Sequence, residues 1–202
     1  MWTRGPSRTT WAHLPPQPGD RAPDLQLTDS ARERVSLSDF WRDRPALLVF
    51  WRHYGCGCGL DRAARFHDEY GDYTAAGAGV VLIGQAEPER SATYAEQQQI
   101  RCPVLCDPDY QAYEAYGLLE GLPAQILFDA PEEFLRHSRE VGAEFQRQRR
   151  EQGRTLVDNP WLLPGEFVVD TRGVIRLAYR YQYCEDFPNP LVLTTAIREA
   201  VA

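Results

Sequence analysis

The chain has 202 residues, 43% hydrophobic and 25% charged, with a formal net charge of -7; this suits one globular domain with room for insertions and argues against a nucleic-acid-binding surface. All 22 basic residues are arginine, which excludes Schiff-base lysine chemistry and a Walker-type phosphate lysine. No apolar run nears the ~20 residues that span a bilayer.

Residues 1–18 carry Arg4 and Arg8 with no apolar stretch behind them, so they do not read as a secretory signal. Pro6, Pro15, Pro16 and Pro18 make this stretch a flexible arm. The expected setting is the cytoplasm, where thiols stay reduced and close cysteine pairs serve catalysis or metal binding more often than structure. The folded domain is expected over residues 19–202. Leu25–Leu27 reads as a short edge strand, and Val35–Phe40 as a turn into a short helix capped by Ser36 or Ser38. Pro45 breaks the chain. Ala46–Trp51 is an unbroken apolar run, the pattern of a strand buried on both faces. The loop Gly55-Cys56-Gly57-Cys58-Gly59 follows. Leu60, Ala63, Ala64, Phe66 and Tyr70 then recur at helical spacing and predict a helix over 60–75.

Val80–Ile83 is a second buried strand, Pro88–Gln99 a helix with proline in its first turn, and Val104–Cys106 a third strand. Asp107-Pro108-Asp109 turns the chain and caps a helix to Tyr116, which Gly117 ends. A helical insertion is expected at about 121–163, with its charged helix over 131–152. Phe167–Asp170 and Val174–Tyr181 form a hairpin about Thr171-Arg172-Gly173, with Ile175, Leu177 and Tyr179 at alternate positions. Leu191–Val201 closes the chain as an amphipathic helix. Alternating strands and helices predict an α/β fold, with a mixed central sheet and helices on both faces. The cysteine loop leaves the C-terminal end of the first core strand, where such sheets place their sites.

Cys56 and Cys58 therefore stand between a buried strand and a helix start, where free N–H groups and partial positive charge favour a thiolate. Arg52 and His53 lie nearby as further sources of positive charge, and His53 is also placed to shuttle a proton. A Cys-Gly-Cys disulfide closes a small ring with demanding geometry, so the bond should be labile and oxidising. Cys102 and Cys106 flank a strand and read as core residues, with a resolving thiol as the alternative. Cys184 reads as structural or surface.

Five stretches together resemble the alkyl hydroperoxide reductase/thiol-specific antioxidant group, the peroxiredoxins and their peroxiredoxin-like relatives. They are Gly19–Leu25, Val35–Phe40, Ala46–Cys58, Pro103–Leu118 and Pro164–Arg176. Arg52-His53 before Cys56, and Cys184-Glu185-Asp186-Phe187-Pro188, are most similar to the peroxiredoxin-like branch. The resemblance implies a thioredoxin-like fold and an antioxidant thiol oxidoreductase with no cofactor. It implies that Cys56 is the reactive cysteine, that Pro164 supports the active site, and that Arg180 is a candidate cation near the thiolate. The expected partners are a peroxide or disulfide substrate, a thioredoxin-like or low-molecular-weight thiol reductant, and a second copy of the chain in a homodimer. The family's proline seven residues before the reactive cysteine is Val49 here, and its threonine or serine three before is His53. The hydroxyl that would bind peroxide is therefore missing. The residue three after Cys56 is Gly59, so this is not a Cys-x-x-Cys pair either.

Two other functions compete. Cys56, Cys58 and His53 offer soft ligands for copper or zinc, without the paired spacings of structural zinc sites. A catalytically silent adaptor would use Trp2, Trp11 and Trp161 for contacts.

Overall fold

The computed structural model describes residues 9–55, 57–121, 126 and 158–201. Its strands are β1 (Gln26–Asp29), β2 (Arg34–Ser36), β3 (Ala46–Phe50), β4 (Gly79–Gly84), β5 (Val104–Cys106), β6 (Gly165–Val169) and β7 (Ile175–Arg180). They form one sheet in the order β2-β1-β5-β4-β3-β6-β7. The pairs β3–β4 and β4–β5 are parallel and the remaining pairs antiparallel, so the sheet is mixed as expected. β1 is not an edge strand, because β2 pairs outside it.

The helices are α1 (Gly57–Ala75), α2 (Pro88–Gln97), α3 (Gln111–Ala115) and α4 (Pro190–Val201), with a 3-10 turn at Leu37–Phe40. Side chains alternate across a strand, and each face here is apolar. Leu47, Val49, Val80, Leu82 and Val168 meet Phe66 and Tyr73 of α1, Tyr94 of α2 and Ile197 of α4. Leu48, Phe50, Val81, Ile83 and Phe167 meet Leu37, Trp41, Tyr113 and Tyr116 on the other face. Helical elements therefore cover both faces.

Local chemistry explains the element ends. Ser36 caps the 3-10 turn through a capping box with Asp39. The Asp107 carboxylate accepts the backbone N–H groups of Gln111, Ala112 and Tyr113 at 2.9, 2.8 and 3.2 Å. It thereby caps α3, and Gly117, at φ +70°, ends the segment.

The hairpin departs from simple alternation. Val168 pairs with Leu177 and Val169 with Ile175, so a bulge sets Ile175 and Leu177 on opposite faces. The expected arm is docked where it is described. Trp11 Nε1 donates to the Gly117 carbonyl at 2.8 Å, and Arg180 Nη2 to that of Pro16 at 2.6 Å. Gly117 permits this, because a Cβ there would sit 2.3 Å from Pro15. The helix expected over 131–152 lies outside the described residues. The two ends of the insertion do meet: Gly121 N–H bonds the Trp161 carbonyl at 2.8 Å, and Leu163 N–H that of Leu119 at 2.9 Å.

Candidate active site

β3 runs into Trp51 and Arg52, and α1 begins at Gly57, three residues before the predicted start, so Cys58 falls in its first turn. Aromatic groups fix that turn on the sheet. Trp51 Nε1 donates to Tyr94 Oη at 2.9 Å, and Tyr94 Oη donates to the Gly59 carbonyl at 3.2 Å. Tyr54 stacks on Tyr94 with ring centroids 4.1 Å apart, and its hydroxyl fills the space a Cβ at Gly84 would need.

The end of β3 and the start of α1 face a narrow, partly enclosed cleft of about 10 Å³, room for roughly one water. Arg52, Cys58, Arg62, Pro164, Glu166 and Cys184 line it, with Tyr181 and Phe187 as aromatic walls. Cys58 is disulfide-bonded, whereas Cys102, Cys106 and Cys184 are free. Cys56 lies outside the described residues. The Arg52 guanidinium, only 5% exposed, donates through Nη1 to Cys58 Sγ at 3.0 Å and through Nη2 to the Pro160 carbonyl. Burial lowers its pKa, opposed by Cys184 and Glu185; a guanidinium still keeps its charge at neutral pH.

His53 is the neutral neighbour. Its Nδ1 accepts the Gly55 N–H at 3.2 Å. Burial, with the charges of Arg52 and Arg90, holds its pKa well below the ordinary histidine value. The positive charge expected of Arg52 and His53 together is supplied by Arg52. The same facts weigh against a metal centre, because the Cys58 sulfur is committed to a disulfide and His53 Nδ1 to an N–H. Among the described residues no group of three or more His, Cys, Asp or Glu is placed to hold a metal ion.

The segment returning from the insertion completes the wall. Asp158 accepts the Tyr54 N–H at 3.1 Å and Arg90 Nη1 at 2.7 Å. Asn159 N–H donates to Gln85 Oε1 at 2.9 Å, and Asn159 Nδ2 to Glu120 Oε1 at 2.6 Å. Pro160 is thereby held where its carbonyl meets Arg52. Below the cleft, Arg62 binds Glu166 at 2.9 Å and Glu69 at 2.7 Å. Tyr181 Oη donates to Glu166 Oε1 at 2.8 Å. This buried charge network on the α1 face was absent from the sequence reading; Glu166 within an otherwise apolar strand was its one visible sign.

Cys184 packs against Cys58 and Ile126. Its single S–H has two alternative acceptors, Glu185 Oε1 at 3.7 Å and the Ile126 carbonyl at 3.6 Å. Burial pushes the Cys184 thiol up to about 11, partly offset by Arg52. Burial likewise raises the Glu185 carboxyl to about 7, with Asp61 adding to the rise and Arg52 opposing it. Of the structural or surface role expected of Cys184, burial excludes the surface position: the residue lines the cleft, brought there by the turn that follows β7.

The remaining site candidates divide. Pro164 lines the cleft and accepts the Tyr181 N–H at 3.2 Å; no peptide bond among the described residues is cis. Arg180 is not brought there. It donates to the Tyr116 carbonyl at 2.8 Å and lies over the Phe167 ring, on the opposite face of the sheet from Arg62 and Glu166. The reason is strand alternation, which turns its side chain away. Cys102 sits in the apolar core, its thiol pushed up to about 12 by burial. Cys106 ends β5, also raised by burial and bonded to Ser91. Neither lines the cleft.

Comparison with known proteins bears on the fold and the family. The chain is 37% identical over 100 residues to the candidate peroxiredoxin Rv2521 of Mycobacterium tuberculosis, covering 50% of this chain and 63% of that one. It is 30% identical over 104 residues to peroxiredoxin Bcp of Escherichia coli K12, covering 52% and 66%. The matched region thus spans less than two thirds of the length of either relative. Among solved structures, peroxidoxin BcpB of Mycobacterium tuberculosis aligns with a TM-score of 0.65 at 18% identity, over 91% of this chain and 97% of that one. A candidate thiol:disulfide interchange protein DsbE from Chlorobium tepidum aligns at 0.58 and 19%, over 93% and 99%. These likenesses carry the fold, which is thioredoxin-like. The AhpC/TSA family model matches residues 18–178, most of the chain and every strand but the end of β7, and the protein belongs to that family.

Proposed function

We propose that the chain is a thiol-dependent oxidoreductase of the peroxiredoxin-like kind, with Cys56 as the reactive thiolate and Cys58 as its disulfide partner. The observation that carries this reading is the buried Arg52 guanidinium, 3.0 Å from the sulfur of a disulfide-bonded Cys58 in the first turn of α1. A cation at a helix start stabilises the thiolate released when that disulfide is reduced. Cys102, Cys106 and Cys184 are free, and Cys56, two residues before Cys58, is the partner that this reading assigns to it. The relatives named as peroxiredoxins support the same chemistry.

In the oxidative half, the Cys56 thiolate attacks a peroxide oxygen. The O–O bond breaks, Cys56 becomes a sulfenic acid and the leaving oxygen takes a proton. Cys58 then attacks the Cys56 sulfur and expels water, forming the disulfide. With a disulfide substrate, Cys56 attacks sulfur and Cys58 displaces the reduced product. A thioredoxin-like or low-molecular-weight thiol returns both residues to thiols. His53 stands where peroxidases of this family carry a hydroxyl, so disulfide exchange competes with peroxide reduction. The proposed setting is a reducing cytoplasm, with a homodimer as the assembly. Among the described residues no helix is long and apolar enough to cross a membrane.

Peroxide treatment followed by mass spectrometry tests the reading. Wild type should lose two hydrogens through a Cys56–Cys58 link. Cys56→Ser and Cys58→Ser should each give a sulfenic acid or a link to another cysteine. A Cys102→Ala/Cys106→Ala double variant should behave as wild type. Thiols left unmodified in every form overturn the assignment.

A further inference from the structure

The cleft holds one more thiol than this reaction uses. Cys184 is free, 4% exposed, and packs directly on the disulfide-bonded Cys58. It is not an isolated buried cysteine, because Glu185 and Arg52 both act on it. Glu185 Oε1 lies 3.7 Å from its Sγ, within reach of the S–H proton that the Ile126 carbonyl at 3.6 Å can alternatively accept. The other Glu185 oxygen, Oε2, is buried with no hydrogen-bond partner, so the carboxyl is not consumed by the fold. Arg52, which bonds the Cys58 sulfur, also acts electrostatically on Cys184 and Glu185. Asp61 is the further charge that bears on Glu185.

We propose that Cys184 is a third redox thiol, which attacks Cys58 and moves the Cys56–Cys58 disulfide to Cys58–Cys184. The step rests on the function proposed above. The Cys184 S–H proton passes to the Glu185 carboxylate as the Cys184–Cys58 bond forms. The Cys58–Cys56 bond breaks, and Cys56 leaves as a thiolate with the bonding pair. One disulfide is spent and one made, so no outside oxidant or reductant enters. Exchange replaces the small Cys-Gly-Cys ring, whose geometry is demanding, with a bridge between the first turn of α1 and the segment after β7. Its consequence is that the attacking cysteine is restored as a thiolate while the oxidising equivalent waits on Cys184. A Glu185 carboxyl of raised pKa suits proton exchange near neutrality.

The test uses the full chain. Reduced wild type is oxidised with one equivalent of hydrogen peroxide, quenched at intervals with acidic N-ethylmaleimide, and mapped by mass spectrometry without reduction. The Cys56–Cys58 link should form first and give way to a Cys58–Cys184 link with alkylated Cys56. Glu185→Gln should slow that conversion about tenfold or more. A Cys56–Cys58 link that persists while Cys184 alkylates in full overturns the relay and leaves the proposed function standing. Thiols left unmodified at every interval overturn both. Cys56→Ser, placed in a glutathione redox buffer, checks the final bond without peroxide. It should form Cys58–Cys184, whereas glutathionylated Cys58 beside a free Cys184 overturns the relay.

Discussion

The two ends of the β6–β7 hairpin hold buried carboxylates in opposite conditions. At the turn, Asp170 accepts the N–H groups of Arg172 and Val174 at 2.9 and 3.0 Å, and Arg176 Nη2 at 2.6 Å. Burial would raise its pKa, but these bonds outweigh that and hold it at about 2. Towards the open end, Glu166 and, beyond β7, Glu185 each keep one buried oxygen without a hydrogen-bond partner among the described residues, and Glu166 lines the cleft with Cys58 and Cys184. Native interiors satisfy nearly all polar groups. One strand pair thus completes the polar bonds of its carboxylate at the turn and leaves those at the other end incomplete, as strained or functional sites do.

The largest expected effect breaks the buried network under the cleft. Arg62→Met removes the cation from Glu166, which is 1% exposed, and strands its charge. The expected cost is about 3–5 kcal/mol, read from denaturant unfolding. A loss under 1 kcal/mol would mean the Arg62–Glu166 pair is not the support described here. Next comes Arg52→Ala, which sharpens the contrast in chemistry rather than stability. In the reduced protein a thiol pKa at the cleft should rise by about 1–2 units, followed by ultraviolet thiolate absorbance against pH. Reaction with peroxide or disulfide at neutral pH should slow in step. An unchanged titration would remove Arg52 from the site.

The smallest effect is in the pH dependence of melting, and its sign differs between the two ends. The folded pKa of Glu185, about 7, lies above its unfolded value of about 4.3. Its contribution is complete below about pH 4.3 and is lost as pH rises towards 7. The folded pKa of Asp170, about 2, lies below its unfolded value of about 3.9. Its contribution is complete above about pH 3.9 and is lost as pH falls towards 2. Glu185→Gln should therefore flatten the neutral limb of the melting curve and Asp170→Asn the acid limb. A swap of the two limbs would refute the contrast.

Much of this was legible in the residues. Continuous apolar runs marked β3, β4 and β5, and Ser36, Asp107 and Gly117 marked the ends of helical segments. Those are local signals, because periodicity, capping and turn chemistry act within a few residues. The bulge that separates Ile175 from Leu177 was not legible, since pairing with β6 imposes it. Arg180 illustrates the same limit: its place in the chain suggested a cation for the thiolate, and strand alternation turned it onto the Phe167 ring.

The sequence by itself determined the alternation of strands and helices, the position of the cysteine loop after the first core strand, and the family to which that order belongs. Only the tertiary structure decided that Arg52 rather than His53 or Arg180 carries the charge at the sulfur, and that Cys184 and Glu166 join the cleft. The physical reason is separation along the chain. Contacts of Cys184 and Glu166 with α1 join residues more than 100 positions apart and exist only once the sheet has brought the ends of β3, β6 and β7 together, whereas Arg52, six residues from Cys58, was singled out by the burial that holds His53 neutral.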